Sequence, residues 1–537
     1  MKVVVIGGVA GGPSFATRFR RLNEQNEIIM FERGAFISFA SCALPYYLGG
    51  VITNRDSLIE RTPEILKQKN NIDVRVRHEV TAIDSGRHML AVTDLKTGKK
   101  TKETYDKLVL STGARPVLPS IEGLEEAHNV FTIRSMADGD RIKAFMETKQ
   151  PEKVTILGAG AAGVELTENL QTAGMQVTLI DQANQVMPPY DSEMTDFLLD
   201  DLMDNGVDVK LGETVSAVTE NGHIVHLADG TAIPTDMLLV VTGVQPNNEL
   251  ADSAGLDLSE DGHIVVDEHL ATSAPDIYAI GDVIETTSRI SGLPIASMLS
   301  SAANRQGHLL ADMLNGAPLT YPGFTGVSAV KMFKLTASMV GYTEQTLHDA
   351  GITNYATLFI TPFDHAYFYP NAKRLNIKLI YQPGTGKLLG GQFVGENGVD
   401  KRAGELSTTI AGGLTIHDLP GIELPYSPPY SAPRDPLNMA GYVGINQLNQ
   451  AETTVLYANL TPEERKQGFF LDIHEADKPA SSDLHADLEI PLMELRNRLN
   501  EIPADRTIYV LYRKGLGPYN ASTILRGNGY KVKIVQQ

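Results

Sequence analysis

The chain has 537 residues, too many for one hydrophobic core, and at about 100 to 200 residues per domain it is expected to hold three or four. Its composition, 42% hydrophobic and 21% charged, is that of ordinary globular protein, and no run nears the ~20 apolar residues a bilayer requires. The net charge of -19 weighs against nucleic acid or an anionic membrane as partner, and a single cysteine excludes a disulfide framework or a multi-cysteine metal site. No metal is expected, and a cytoplasmic location is.

In chain order, the apolar run Val3 to Ile6 is followed by a glycine-rich turn and a helix-compatible stretch, "VVVIGGVAGGPSFATRF". A similar segment, "VTILGAGAAGVELTENL", starts at Val154, so the chain carries two βαβ beginnings about 150 residues apart. The first unit is expected to resume in "TDMLLVVTGVQPN" (235–247) and "APDIYAIGDV" (274–283), with the second unit inserted between. From Tyr321 the pattern changes to alternating apolar strands such as "LNIKLIYQ" and "KLLGGQFVG", before the proline-rich "LPYSPPYSAPRDP". The last 85 or so residues carry strands "GFFLDI" and "TIYVLYR" separated by a charged helix, "LMELRNRL".

In the second unit, Gly158, Gly160 and Gly163 form a complete G-x-G-x-x-G, which lets backbone approach a pyrophosphate at a helix N-terminus. Asp181 ends the next strand, 18 residues past Gly163, where a carboxylate bonds a ribose 2'-hydroxyl. No Arg or Lys follows in "DQANQVM" to hold a 2'-phosphate, which favours NADH over NADPH. The N-terminal turn has Gly7, Gly8, Gly11 and Gly12, with Val9 in place of the central glycine, and Glu32 supplies its strand-end carboxylate. A second nucleotide beside NADH, in a chain with one conspicuous thiol, points to FAD.

Six separated motifs in order, "GGVAGG", "SFASCALP", "LSTGARP", "GAGAAGVE", "TGVQPN" and "IYAIGDV", resemble the pyridine nucleotide-disulfide oxidoreductases. Within that family the resemblance is to the single-cysteine branch of coenzyme A-disulfide reductases, NADH oxidases and persulfide reductases, and it covers about residues 1–445. It implies an α/β chain with two Rossmann-like domains, an α+β dimerisation domain and homodimer formation. The FAD domain is expected at 1–115 and 245–320, the NAD domain at 116–244 and the dimerisation domain at 321–445. FAD contacts are implied for the first glycine turn, Glu32, Arg33, Thr112, Gly113, Gly281 and Asp282, and a nucleotide contact for Gly243.

"SFASCALP" looks like the branch signature in which Cys42 faces the flavin; the second cysteine of commoner disulfide reductases would fall at Ile37. One sulfur can cycle only by bonding a small-molecule thiol, as a mixed disulfide, or oxygen, as a sulfenic acid. Either route needs thiolate, and a helix reaching Gly49 or Gly50 with Cys42 as its cap would favour the anion.

By resemblance to the coenzyme A-disulfide reductases, Ser14, Arg18, Arg21, Ser38 and Arg434 match substrate contacts, and Arg18 and Arg21 share a helix face. Ser41 stands where the branch usually has Asn, and Asn70 where a lysine is expected. The implied proton donors, reaching the other subunit of a dimer, are Tyr426 and either Tyr369 or Tyr367, with Phe368 replacing an adjacent aromatic. Residues 453–537 resemble a rhodanese domain with Tyr512 at the position of its sulfur-carrying cysteine and Gly517 at that of its loop arginine, so this domain cannot carry a persulfide. The domain is read as a packing or regulatory remnant, with an anion or partner contact through Arg513 and Lys514 as the alternative.

The reading is an FAD enzyme using NADH and Cys42 to reduce coenzyme A disulfide. Its rivals are NADH oxidase, persulfide reductase, and a flavin-bearing redox sensor whose tail binds a protein.

Overall fold

A computed structural model describes residues 1–449, 454–474, 484–511 and 517–536, in two compact units, Met1–Lys334 and Leu335–Gln537. The first unit contains the same four-stranded topology twice, each with a fifth edge strand that comes last in the chain in one sheet and first in the other. Its N-terminal sheet runs, in spatial order, Ile277–Ala279, Lys107–Leu110, Lys2–Ile6, Glu27–Glu32 and Asp73–Val76, all parallel. The second sheet runs Asp208–Leu211, Gln176–Asp181, Lys153–Leu157, Met237–Val240 and Val130–Phe131, again parallel. In each half a three-stranded antiparallel meander, residues 78–104 or 215–234, returns the chain to the strand beside the first one. Parallel strands covered on both faces read as continuous apolar runs, and Val3, Val4 and Val5 are wholly buried.

The segment 235–247 does not resume the first unit. Its strand Met237–Val240 completes the second sheet, and only Ile277–Ala279 returns to the first. Immediately after Met237–Val240 the chain enters a short ribbon, in which Val244–Pro246 pairs antiparallel with Ala114–Pro116. Asn247 reinforces it: its amide donates to the Thr112 carbonyl (2.8 Å), while the Thr112 hydroxyl donates to the Asn247 carbonyl (2.7 Å).

In the second unit, Leu335–Gly341, Leu388–Gly395, Leu375–Tyr381 and Ala356–Ile360 form an antiparallel sheet in that order. The expected alternation fails in its two central strands: every residue of Leu375–Tyr381 and Leu388–Gly395 is buried. Lys378, 2% exposed, fits there because its ammonium meets Glu344. The tail forms a parallel sheet in the order Thr454–Leu456, Lys531–Gln536, Thr507–Leu511, Phe469–Asp472, Leu488–Glu489. "LMELRNRL" is not an α-helix but enters two successive 3-10 turns, Leu495–Asn497 and Leu499–Glu501. The apolar spacing is satisfied either way, and a segment this short gains its conformation from packing of the buried Leu495 rather than from propensity. Tyr512, Arg513 and Lys514 lie outside the described residues; Gly517 begins the helix Gly517–Gly527. No described helix is long and apolar enough to cross a membrane.

The helix Gly11–Leu22 carries three arginines with different fates. Arg20, 4% exposed, donates to the carbonyls of Glu24, Asn70 and Asn71 and so locks the helix to the next crossover. Arg20→Met, which strands these acceptors, should cost about 2–4 kcal/mol in urea unfolding; Arg21→Met, at an exposed position, should cost under about 0.5 kcal/mol.

Candidate functional site

The two glycine turns are built alike by close backbone approach. A Cβ on Gly12 would stand 2.0 Å from the Gly7 carbonyl oxygen, and one on Gly163 would stand 1.8 Å from that of Gly158. Gly7 and Gly158 themselves have φ of +108° and +112°. The glycines thus seat each helix directly on the end of its strand, leaving its first N–H groups aimed outward. Gly160 differs: its φ is -74° and no protein atom would meet its Cβ within 4 Å, so the space over it is open.

The strand-end carboxylates are equally matched. Glu32 accepts from the Gly8 N–H (2.9 Å) and the Gly34 N–H (2.6 Å); Asp181 accepts from Ala159 (2.6 Å) and Ala183 (2.8 Å). Each is thereby held at the mouth of its turn with lone pairs to spare for a ribose.

A cavity of about 790 Å³ opens over the first turn. Its wall includes Gly7, Gly8, Gly11, Glu32, Arg33, Ser41, Cys42, Thr112, Gly113, Gly281 and Asp282, so residues from four of the separated motifs and one strand end share one site. Gly12 lies buried beneath the turn. Gly281, at φ +83°, donates its N–H to the buried Gln306 side chain (2.8 Å), which sets the direction of Asp282. Outward N–H groups, a carboxylate held at the mouth of the turn and a cavity of this volume would suit a flavin dinucleotide.

Cys42 is exposed in a 3-10 turn, Ser41–Ala43, that leads into the helix Leu44–Leu48. It does not cap this helix; Ala43 holds that position, because the chain bends through the turn first. Ser38, at φ +46°, is buried and donates its N–H to the Gly8 carbonyl (2.8 Å), pinning the cysteine loop to the glycine turn.

The other expected substrate contacts do not line this cavity. Ser14 donates to the Asn304 carbonyl (2.8 Å), Arg18 pairs with Asp312 (2.7 Å), and Arg21 is exposed. Arg18 and Arg21 therefore do not offer two equivalent free charges. Gly158, Gly160, Gly163, Asp181 and Gly243 belong to the second turn and its surroundings. Tyr369 (42% exposed), Tyr426 (49% exposed) and the exposed Arg434 lie in the second unit.

Two features were missed in the sequence. Arg134 lines the cavity and pairs with Asp282 (2.5 Å), neutralising that acid; its position just before the capping box of Ser135 and Asp138 was the available signal. Beside the cysteine, the Tyr46 hydroxyl donates to Glu165 of the second nucleotide turn's helix (3.2 Å). Burial, with Glu168 adding, pushes the Glu165 carboxyl up to about 7 against the opposing Tyr46 hydrogen bond. Burial and the same acids also push the Tyr46 phenol up.

The chain matches the family described as pyridine nucleotide-disulphide oxidoreductase over residues 1–307, and that family's dimerisation domain over residues 327–435. It belongs to this family. Such an oxidoreductase is an FAD- and NAD(P)H-dependent disulfide reductase. It is 35% identical over 443 residues to the coenzyme A disulfide reductase of Staphylococcus aureus (strain bovine RF122 / ET3-1), covering 82% of this chain and 99% of that one. Its fold resembles the reduced CoADR-RHD of Bacillus anthracis (TM-score 0.97, 43% identity, 99% of this chain and 96% of that one). It also resembles an NAD-dependent persulfide reductase from A. fulgidus (TM-score 0.92, 35% identity, 100% of this chain and 99% of that one).

Gly163→Ala should destabilise this oxidoreductase by about 1–3 kcal/mol or more, because backbone must move. Gly160→Ala should cost under about 1 kcal/mol and chiefly weaken nicotinamide nucleotide binding, as read by melting and by nucleotide titration. A second expectation concerns pH. Glu165 holds its proton more tightly folded than unfolded, so its penalty is absent below about pH 4.5, grows as pH rises and is complete above about pH 7. Glu165→Gln should therefore raise stability by an amount of order 2–3 kcal/mol at about pH 8 and by little at about pH 5, as measured by melting across that range.

Proposed function

We propose that this enzyme uses NADH to reduce coenzyme A disulfide through Cys42. The observation that carries the reading is the exposed Cys42 thiol in the wall of the cavity bounded by the first glycine turn, Thr112–Gly113 and Asp282. With no other cysteine in the chain, the sulfur it bonds must come from a small molecule. Similarity to the Staphylococcus aureus coenzyme A disulfide reductase over nearly all of that protein supports the substrate class.

The first glycine turn, Glu32, Arg33, Thr112, Gly113, Gly281 and Asp282 would hold FAD, and Gly158, Gly160, Gly163, Asp181 and Gly243 the nicotinamide nucleotide. Asp181, with both oxygens engaged by backbone N–H groups and no basic residue following, favours a free 2'-hydroxyl over a 2'-phosphate. When bound, the flavin supplies the two-electron connection between nicotinamide and sulfur.

Cys42 thiolate attacks one sulfur of the disulfide RS–SR. The S–S bond breaks, a Cys42–SR bond forms, and RS⁻ leaves with the proton of Tyr426, presented by the partner in a homodimer; Tyr369 is the supporting phenol. Two electrons and a second proton then release RSH and restore the thiolate, and a proton from solvent restores Tyr426, so that NADH, H⁺ and RSSR become NAD⁺ and 2 RSH. Ser41, in the cavity wall beside Cys42, would contact the near end of coenzyme A, and Ser14, Arg18, Arg21, Ser38 and Arg434, which do not line the cavity, would contact the part that extends beyond it.

A second reading, persulfide reduction, is favoured by similarity to the A. fulgidus persulfide reductase across the whole chain. Here Cys42 alone would take the sulfur, because the tail has no cysteine. The deciding experiment is anaerobic NADH oxidation with coenzyme A disulfide, coenzyme A persulfide or neither, then with added oxygen. The disulfide is expected to raise the rate at least about 100-fold over background, and Cys42→Ser to abolish that gain. A persulfide rate above the disulfide rate would install the second reading, and oxygen as the best acceptor would reject both.

A further inference from the structure

In the second unit, one buried cation holds together the two loops that carry the candidate proton donors. Arg402, on the helix Val399–Ala411, is 1% exposed. Its Nη2 donates to the Asp364 carbonyl (2.9 Å), to the Asp435 carboxylate (2.8 Å) and to the Ser431 hydroxyl (3.4 Å), and its Nε reaches Asp435 again (3.3 Å). Asp364 opens the loop "DHAYFYP"; Ser431 and Asp435 close the loop "YSPPYSAPRD".

The loops are tied to each other as well as to the guanidinium. The Ala366 N–H donates to the Ser431 carbonyl (3.1 Å), and the Ser431 hydroxyl donates to Asp435 (2.6 Å). Asp435 also caps the following helix through the Leu437 N–H (3.0 Å). Burial opposes charge on Asp435, but the Arg402 charge and these hydrogen bonds keep its carboxyl below the usual carboxylate range. From this hub each chain leads outward to a phenol. His365 meets the Tyr369 ring edge-on (centroids 5.7 Å apart), and the Tyr369 N–H donates to Ala366 (2.8 Å). On the other loop, the Tyr430 and Ser431 N–H groups both donate to the Ser427 carbonyl (2.9 and 3.1 Å), closing the turn that follows Tyr426.

A buried ion pair recovers its desolvation cost poorly, and well-packed apolar groups generally stabilise as much. What the pair adds is a defined geometry, here shared by two loops whose tyrosines are exposed and would otherwise move independently. We propose that Arg402 is the positioning residue of the proton-donating step, fixing Tyr369 and Tyr426 relative to each other so that they meet the departing thiolate as one unit. This rests on the reading in which those tyrosines serve the disulfide step, and it adds the group that sets their arrangement.

The test uses the full-length FAD-loaded enzyme and the variants Arg402→Lys, Arg402→Met, Ser431→Ala and Tyr426→Phe. Flavin bleaching by NADH without acceptor reports the first half of the cycle, thiol release on mixing with coenzyme A disulfide reports the second, and light scattering reports the dimer. Arg402→Met is expected to slow thiol release about 10- to 100-fold while bleaching by NADH stays within about 2-fold and the dimer persists. Arg402→Lys should recover part of the loss, and adding Tyr426→Phe to Arg402→Met should cost less than it does alone. Should Arg402→Met fail to fold, Ser431→Ala carries the test, with a selective fall of about 2- to 5-fold expected. Unchanged thiol release in a folded Arg402→Met or in Ser431→Ala, or equal loss of both half-reactions, would overturn the proposal. A wild-type enzyme that ignores coenzyme A disulfide would instead overturn the substrate reading.

Discussion

The architecture of the first unit depends on backbone pressed against backbone. At each nucleotide turn the last glycine sits so close to the carbonyl of the first that any side chain would overlap it. This contact lets a helix begin directly over the end of a buried parallel strand, and with it come N–H groups free for phosphate and a strand-end acid free for ribose. The same device, with the same meander return, occurs twice in one unit. Two nucleotides can then be held by two copies of one solution rather than by two unrelated sites.

Upon this frame a single sulfur is placed. The cysteine loop is pinned to the first turn through the backbone of Ser38, whose left-handed conformation reverses the chain toward Cys42. Behind it, Tyr46 and Glu165 join the cysteine loop to the helix of the second turn, a contact spanning 119 residues of sequence. Burial holds the Glu165 carboxyl above the usual carboxylate range, so this junction carries less negative charge near neutral pH than its acids would in water.

The second unit treats charge differently. At the first cavity the pair Arg134–Asp282 stands in the wall of an open space, whereas Arg402, Asp435 and Lys378 are paired in the interior. The Arg402 network braces the aromatic loops of the second unit while their tyrosines stay exposed. The tail keeps a parallel sheet although its sequence has no cysteine to carry sulfur, so its fold has outlived, or never needed, that chemistry.

The nucleotide turns were legible because they are local: strand, glycines, helix and acid fall within about thirty residues, and backbone sterics alone dictate the pattern. The uniqueness of Cys42 was legible by counting. By contrast, nothing in "FATRFRR" says that Arg20 is buried, Arg18 paired and Arg21 exposed, because deciding partners lie 50 and 51 residues away for Arg20 and 294 for Arg18. Arg134 against Asp282, and the Arg402 hub, were hidden for the same reason. "LMELRNRL" had the periodicity of a helix and became tight turns that bury Leu495, a choice made by packing with distant segments. The sequence by itself determined the two nucleotide turns and the one-sulfur chemistry, since both follow from covalent structure and short-range sterics. Only the tertiary structure decided which charges are neutralised and which side chains surround the thiol, since burial and ion pairing belong to contacts between segments far apart in the chain.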